Sequence, residues 1–84
     1  MEWDVVEIKP EGPLSLSVSF ADGTRGKVRF EISHLTGVFA ALKDPAFFIK
    51  AYIDRGAVAW PGDIDLAPDA MFDAIKANGE WVLR

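Results

Sequence analysis

The sequence predicts an α+β domain: an antiparallel sheet of about five strands and two short helices, in the order βββ-α-ββ-α. Three observations carry this. Leu14-Ser15-Leu16-Ser17-Val18-Ser19-Phe20 alternates apolar residues with serine without a break. That period of two marks a strand with one face on a core and one in water. The spacing then changes to three and four residues at Leu35, Val38, Phe39 and Leu42, which lines one face of a helix. A second helical stripe, Met71, Phe72 and Ile75, follows the start signal Pro68 and precedes the stop signal Asn78-Gly79.

The elements follow in order. Residues 3–9 read as the first strand, closed by Pro10-Glu11-Gly12-Pro13. The adjacent Val5 and Val6 leave its inward set open between two registers. Ala21-Asp22-Gly23-Thr24 supplies a hairpin turn, because Asp-Gly tolerates the backbone geometry that tight turns require. The returning strand, residues 24–30, points Val28 and Phe30 inward and Arg25, Lys27 and Arg29 outward. Thr36 is placed to cap the first helix. Asp44-Pro45 ends it, since proline disfavours helical geometry in the residue before it, and Pro45-Ala46-Phe47-Phe48 has the length of one further turn. Residues 49–53 and 57–60 read as short strands joined through Asp54-Arg55-Gly56. Leu66 and Met71 have the spacing of a hydrophobic staple across the second helix start. Trp81-Val82-Leu83 is an apolar tail that returns to the sheet or packs over it. The expected core is Leu16, Val18, Phe20, Val28, Phe30, Phe39, Leu42, Phe72 and Ile75.

Eighty-four residues without repeats, low-complexity tracts or linkers make one domain, residues 1–84. A chain of this length buries roughly 60–65% of the surface its unfolded form exposes. Half of the residues are hydrophobic and ten are aromatic, enough for one core without staples. The absence of cysteine excludes disulfides, a thiolate nucleophile and Cys-ligated zinc, and a cytoplasmic setting is the simpler expectation. Met1-Glu2-Trp3-Asp4 is acidic rather than leader-like. No apolar run approaches the ~18 residues of a membrane helix. A net charge of −4 argues against tracking a phosphate backbone. The expectation is a soluble protein without membrane attachment or direct nucleic-acid binding.

Four clusters could carry chemistry, and each has a plainer reading. Asp63, Asp65, Asp69 and Asp73 offer oxygens of the kind that bind calcium or magnesium, but Leu66, Ala67 and Pro68 interrupt any EF-hand spacing. Carboxylates at a helix start gain about 0.3–1 kcal/mol each from the exposed N–H groups. With Ala67 at the apparent cap position, Asp65 or Asp69 is expected to take that role, and no metal is expected. His34, the single histidine, adjoins Ser33; adjacent side chains diverge on a strand or a helix, so the two form no hydrolytic pair. Gly26, Gly37, Gly56 and Gly62 are isolated turns or close contacts rather than a phosphate-cradling loop, and no cofactor is expected. Arg25, Lys27 and Arg29 form one basic stripe beside Ser15, Ser17 and Ser19. They read either as a docking surface for an acidic partner or a nucleic acid, or as cross-strand partners of Glu2, Asp4 or Glu7. Trp60 reads as a core anchor rather than a binding platform, while Trp3 is open to both roles.

Leu16-Ser17-Val18-Ser19-Phe20 with Asp22-Gly23, Gly37-Val38-Phe39 with Leu42, and Asp44-Pro45 with Phe47 set a pattern across the chain. The closing signature is Trp60-Pro61, Asp65-Leu66 and Pro68-Asp69. In these residues the sequence resembles a family of small bacterial domains of unknown function. The resemblance implies a curved antiparallel sheet with helices packed on one face. It also implies relatives that precede a repressor-type helix-turn-helix domain, or that are encoded beside a second small protein in a toxin–antitoxin-like arrangement. The expectation is a domain without a helix-turn-helix segment of its own, and the resemblance carries no catalytic residues. The function expected is a non-enzymatic interaction or regulatory module, an antitoxin-like partner of a second small protein. The alternative is a small-ligand or metal-binding domain using the Trp60–Asp73 corner.

Overall fold

The computed structural model describes all of residues 1–84 as seven strands, two α-helices and two 3-10 segments. Strands β1 (Val5–Pro10), β2 (Ser15–Phe20) and β3 (Arg25–Phe30) pair antiparallel in sequence order. The two registers open to β1 are both used, through a bulge. Val5 pairs with Phe20, the register shifts between Val5 and Glu7, and Ile8 then faces Val18. A bulge accommodates one extra residue on a strand; here that residue is Val6, which stands 58% exposed while Val5 is buried. The β2–β3 turn is closed by Gly23 N–H on the Phe20 carbonyl (2.9 Å) and by Asp22 Oδ1, which accepts from the Thr24 N–H (2.9 Å). Gly23 takes the left-handed conformation that a three-residue hairpin loop ends on, at φ 92°.

The single antiparallel sheet of five strands is not what the chain forms. Trp81-Val82-Leu83 lies within β7 (Glu80–Leu83), which pairs parallel with β3 and makes the first sheet mixed, in the order β1-β2-β3-β7. A parallel neighbour needs a long crossover, and the chain between β3 and β7 supplies it. That crossover holds a second, separate sheet of β4 (Tyr52–Asp54), β5 (Ala57–Trp60) and β6 (Ile64–Asp65). Arg55 and Gly56, both at positive φ, turn β4 into β5 as the two-residue hairpin geometry demands. Residues 49–51, expected in β4, instead leave the helical turn before it, and β6 was not anticipated.

Of the two expected helices, the first needs adjustment and the second only in its cap. The first is a 3-10 segment, Gly37–Lys43, followed by the single turn α1 (Pro45–Phe48). Three residues per turn stacks Phe39 over Leu42 and swings Val38 out to 67% exposure. Thr36 stands before the segment without a capping hydrogen bond, whereas Asp44 Oδ1 accepts from Ala46 N–H and caps α1. Helix α2 (Pro68–Asn78) starts and stops at the expected residues, with Gly79 left-handed and its N–H on the Ile75 carbonyl. Leu66 and Met71 are both buried, as the staple requires, but neither Asp65 nor Asp69 caps the helix, and the cap position Ala67 has no side-chain acceptor. Asp69 lies in the first turn and interacts with the helix end through its charge alone.

One core of 16 residues joins the inner face of the four-stranded sheet, the second sheet, the 3-10 segment and both helices. Eight of the nine expected core residues belong to it, and Phe39 packs against it half-buried. No polar side chain is buried except through the Trp60 indole, whose Nε1 donates to the Phe48 carbonyl at 2.8 Å. No helix is long and apolar enough to cross a membrane.

Candidate functional site

The face of the four-stranded sheet turned away from the core is covered by no other element. Its side chains follow from strand alternation: Glu7 and Lys9 on β1, Ser15, Ser17 and Ser19 on β2, Arg25, Lys27 and Arg29 on β3, Glu80 and Val82 on β7. All are exposed or half-exposed. Register sets the rows across the face. Arg25 sits opposite Ser19, which faces Glu7; Lys27 sits between Ser17 and Glu80, with Lys9 beyond; Arg29 sits between Ser15 and Val82. The structure therefore brings Arg25, Lys27 and Arg29 together with the three serines as one polar field.

The carboxylates that meet these cations are not those of residues 2, 4 and 7. Lys27 Nζ lies 3.7 Å from Glu11 Oε2, and Arg29 Nη1 lies 3.4 Å from Glu80 Oε1. Glu80 could not be assigned to this face from sequence, because its strand is four residues long and its partner strand is fifty residues earlier. Both pairs are at least 38% exposed on each side chain, so each contributes little and exchanges readily with solvent or another anion. Arg25 is engaged in no ion pair. Trp3 is not part of the field; it is half-buried and packs against the core before β1.

At the tip of the hairpin, Asp22 is held ionised below the usual carboxylate range. The Thr24 backbone N–H is the main cause, with the Thr24 hydroxyl and the Lys76 ammonium adding to it. Lys76 Nζ reaches Asp22 Oδ2 at 3.2 Å and also lies over the Phe72 ring, so α2 and the β2–β3 turn are tied by charge as well as by packing.

The remaining sequence candidates fall elsewhere. Trp60 is fully buried, edge-on to Phe30 and against Phe48, with its one donor already used. Pro61 opens the turn that Gly62 and Asp63 complete at positive φ. Asp65 lies in β6, Leu66 is the buried staple residue, and Pro68 and Asp69 open α2. Asp63 and Asp65 line a shallow pocket of about 150 Å³ with Asp54 and Tyr52, while Asp69 and Asp73 stand exposed on α2. No three carboxylate or imidazole groups converge closely enough to hold a metal ion. His34 tilts between Phe30 and Phe39 and meets the Arg84 carbonyl through Nδ1 at 3.3 Å, with no bond to Ser33.

The fold and this face define a small α+β domain with one open, polar sheet surface. Residues 5–77 match the family described as "Protein of unknown function (DUF2442)", and the chain belongs to that family. No curated protein and no solved structure shows significant similarity to it. The matched span takes in β1 through nearly all of α2, including residues 60–69.

Proposed function

We propose that this protein is a non-enzymatic interaction module, the regulatory or antitoxin-like half of a pair of small proteins. It recognises its partner through the outer face of the four-stranded sheet. One observation carries the reading: the fold leaves that face uncovered and places Arg25, Lys27 and Arg29 in one column on it, in a chain of net charge −4. An antiparallel meander covered on one side leaves the other face free for such use. The partner it suits is an acidic or mixed protein surface, whose carboxylates displace Glu11 and Glu80 from their weak pairs. The antitoxin-like role rests on the resemblance to relatives encoded beside a second small protein, and the proposed setting is the cytoplasm. Direct nucleic-acid binding is not proposed, given the acidic chain as a whole.

An enzyme is disfavoured because no nucleophile, base and orienting group stand together; Ser33 and His34 are adjacent but unbonded. The ligand-binding alternative loses its aromatic platform, since Trp60 is buried. The test is affinity capture from the native host with wild-type protein and with Lys27→Glu/Arg29→Glu, compared by mass spectrometry. A stoichiometric small protein held by the first and lost by the second supports the proposal. Equal recovery on both places the interface elsewhere.

A further inference from the structure

We infer that the apolar groove at the end of the domain, between the β1–β2 connection and the 3-10 segment with α1, binds a small amphiphilic carboxylate. Its volume is about 460 Å³, within the ~300–1,000 Å³ typical of small-molecule sites. Leu42 and Phe48 belong to the core and form its floor, while Leu14 and Ile49 stand at its walls. Ile49 is 66% exposed although it follows directly on a helical turn packed into the core. Leu14 holds a left-handed backbone, φ 60°, that branched and bulky residues adopt at a cost, and its carbonyl accepts from the Phe30 N–H at 2.9 Å. The groove thus keeps Ile49 in water, with Leu14 half-buried, at a concave surface over a buried floor.

Charge selects the occupant. Lys43 is the only ionisable residue lining the groove, and no carboxylate pairs with it. An apolar chain or ring with one carboxylate fills the walls and brings its anion to the Lys43 ammonium. An extended peptide fits less well: Pro10, Pro13 and Pro45 occupy three positions of the rim, and proline offers no N–H for main-chain pairing. This site is separate from the sheet face, so its failure and that of the interaction reading are distinguishable.

Octanoate, 1-octanol and octylammonium are the probes, titrated into 15N-labelled protein by NMR. Octanoate should give saturable shifts centred on Gly12, Leu14, Lys43 and Ile49, about two- to fivefold tighter than 1-octanol, the scale of one exposed ion pair. Lys43→Gln should erase that preference and leave 1-octanol binding unchanged; Ile49→Asp should weaken both. Both positions are exposed, so the fold survives either change, and Lys27→Glu/Arg29→Glu should bind octanoate as wild type does. Equal binding of octanoate, 1-octanol and octylammonium, shifts centred away from the groove, or no saturation overturns the proposal. Groove shifts that depend on protein concentration alone, with a dimer in sedimentation, also overturn it and make a second copy the occupant.

Discussion

Gly26 shows how one residue sets the distance between layers. It faces the core from β3, and a Cβ there would lie 2.5 Å from Ile75 Cγ2 and 2.6 Å from the Gly79 carbonyl oxygen. The helix end sits on the strand because nothing projects from it. The sequence marks Gly26 as a turn or close contact; the structure selects the contact. Gly26→Ala should destabilise by about 1–3 kcal/mol through overpacking against both the side chain and the backbone, read as a lower urea midpoint; an unchanged midpoint would mean α2 can lift freely. Asp22 supplies a pH-dependent counterpart. Its folded pKa is lowered, so its contribution is full above the unfolded carboxylate pKa and is lost as pH falls through the folded value. The stability difference between wild type and Asp22→Asn should therefore shrink on acidification across that window. A difference that stays constant or grows would show that the Thr24 and Lys76 contacts do not hold the charge.

Among the elements, legibility follows how local the determining physics is. Helix α2 is written in consecutive residues: Pro68 at the first turn, the Leu66–Met71 staple, the Met71, Phe72 and Ile75 stripe, and Gly79 at the stop. Strands β2 and β3 are equally plain, because serine alternation and Asp22-Gly23 specify both face and turn. By contrast β6 is two residues and β7 four, too short for any period to register, and their partners are set by tertiary packing. The 3-10 character of Gly37–Lys43 escapes for a related reason: Leu35, Val38, Phe39 and Leu42 fit an α-helix equally well until Val38 is seen in solvent. Phe72 tests the central packing of α2. It meets Phe20 edge-on at 5.1 Å between ring centroids, and Phe72→Ala should cost about 3–5 kcal/mol, seen in chemical denaturation. The β6–α2 corner makes a different prediction. Calcium calorimetry should show no saturable uptake at micromolar concentration, and Asp63→Asn with Asp65→Asn should leave the titration unchanged. Tight uptake by wild type that disappears in the double variant would restore the metal reading.

For the molecule as a whole, the two sheets and α2 close one apolar core and leave the chemistry at the surface. The column Arg25, Lys27 and Arg29 and the serines beside it were legible from strand alternation alone, yet the carboxylates that meet it were not. Glu80 enters the face only because β7 returns parallel to β3, and Trp3 leaves it because that ring packs inward. The signature Trp60-Pro61 through Pro68-Asp69 likewise becomes intelligible as fold: a buried anchor, a positive-φ turn, a short strand and a helix start in succession. The proposed interaction therefore rests on the open sheet face, where charged contacts of this kind are expected to act mainly on association rate and partner choice.

That claim is tested most directly by association kinetics of the captured partner across a salt series. Lys27→Glu/Arg29→Glu should slow association at least about tenfold at low salt, within the range mutants of one interface span. The gap to wild type should narrow as salt screens the charges. New repulsion from Glu11 and Glu80 should cost the fold only about 1 kcal/mol, since both sites are exposed, so a native melting transition must accompany the loss. Association rates that match wild type at every salt concentration would contradict the account.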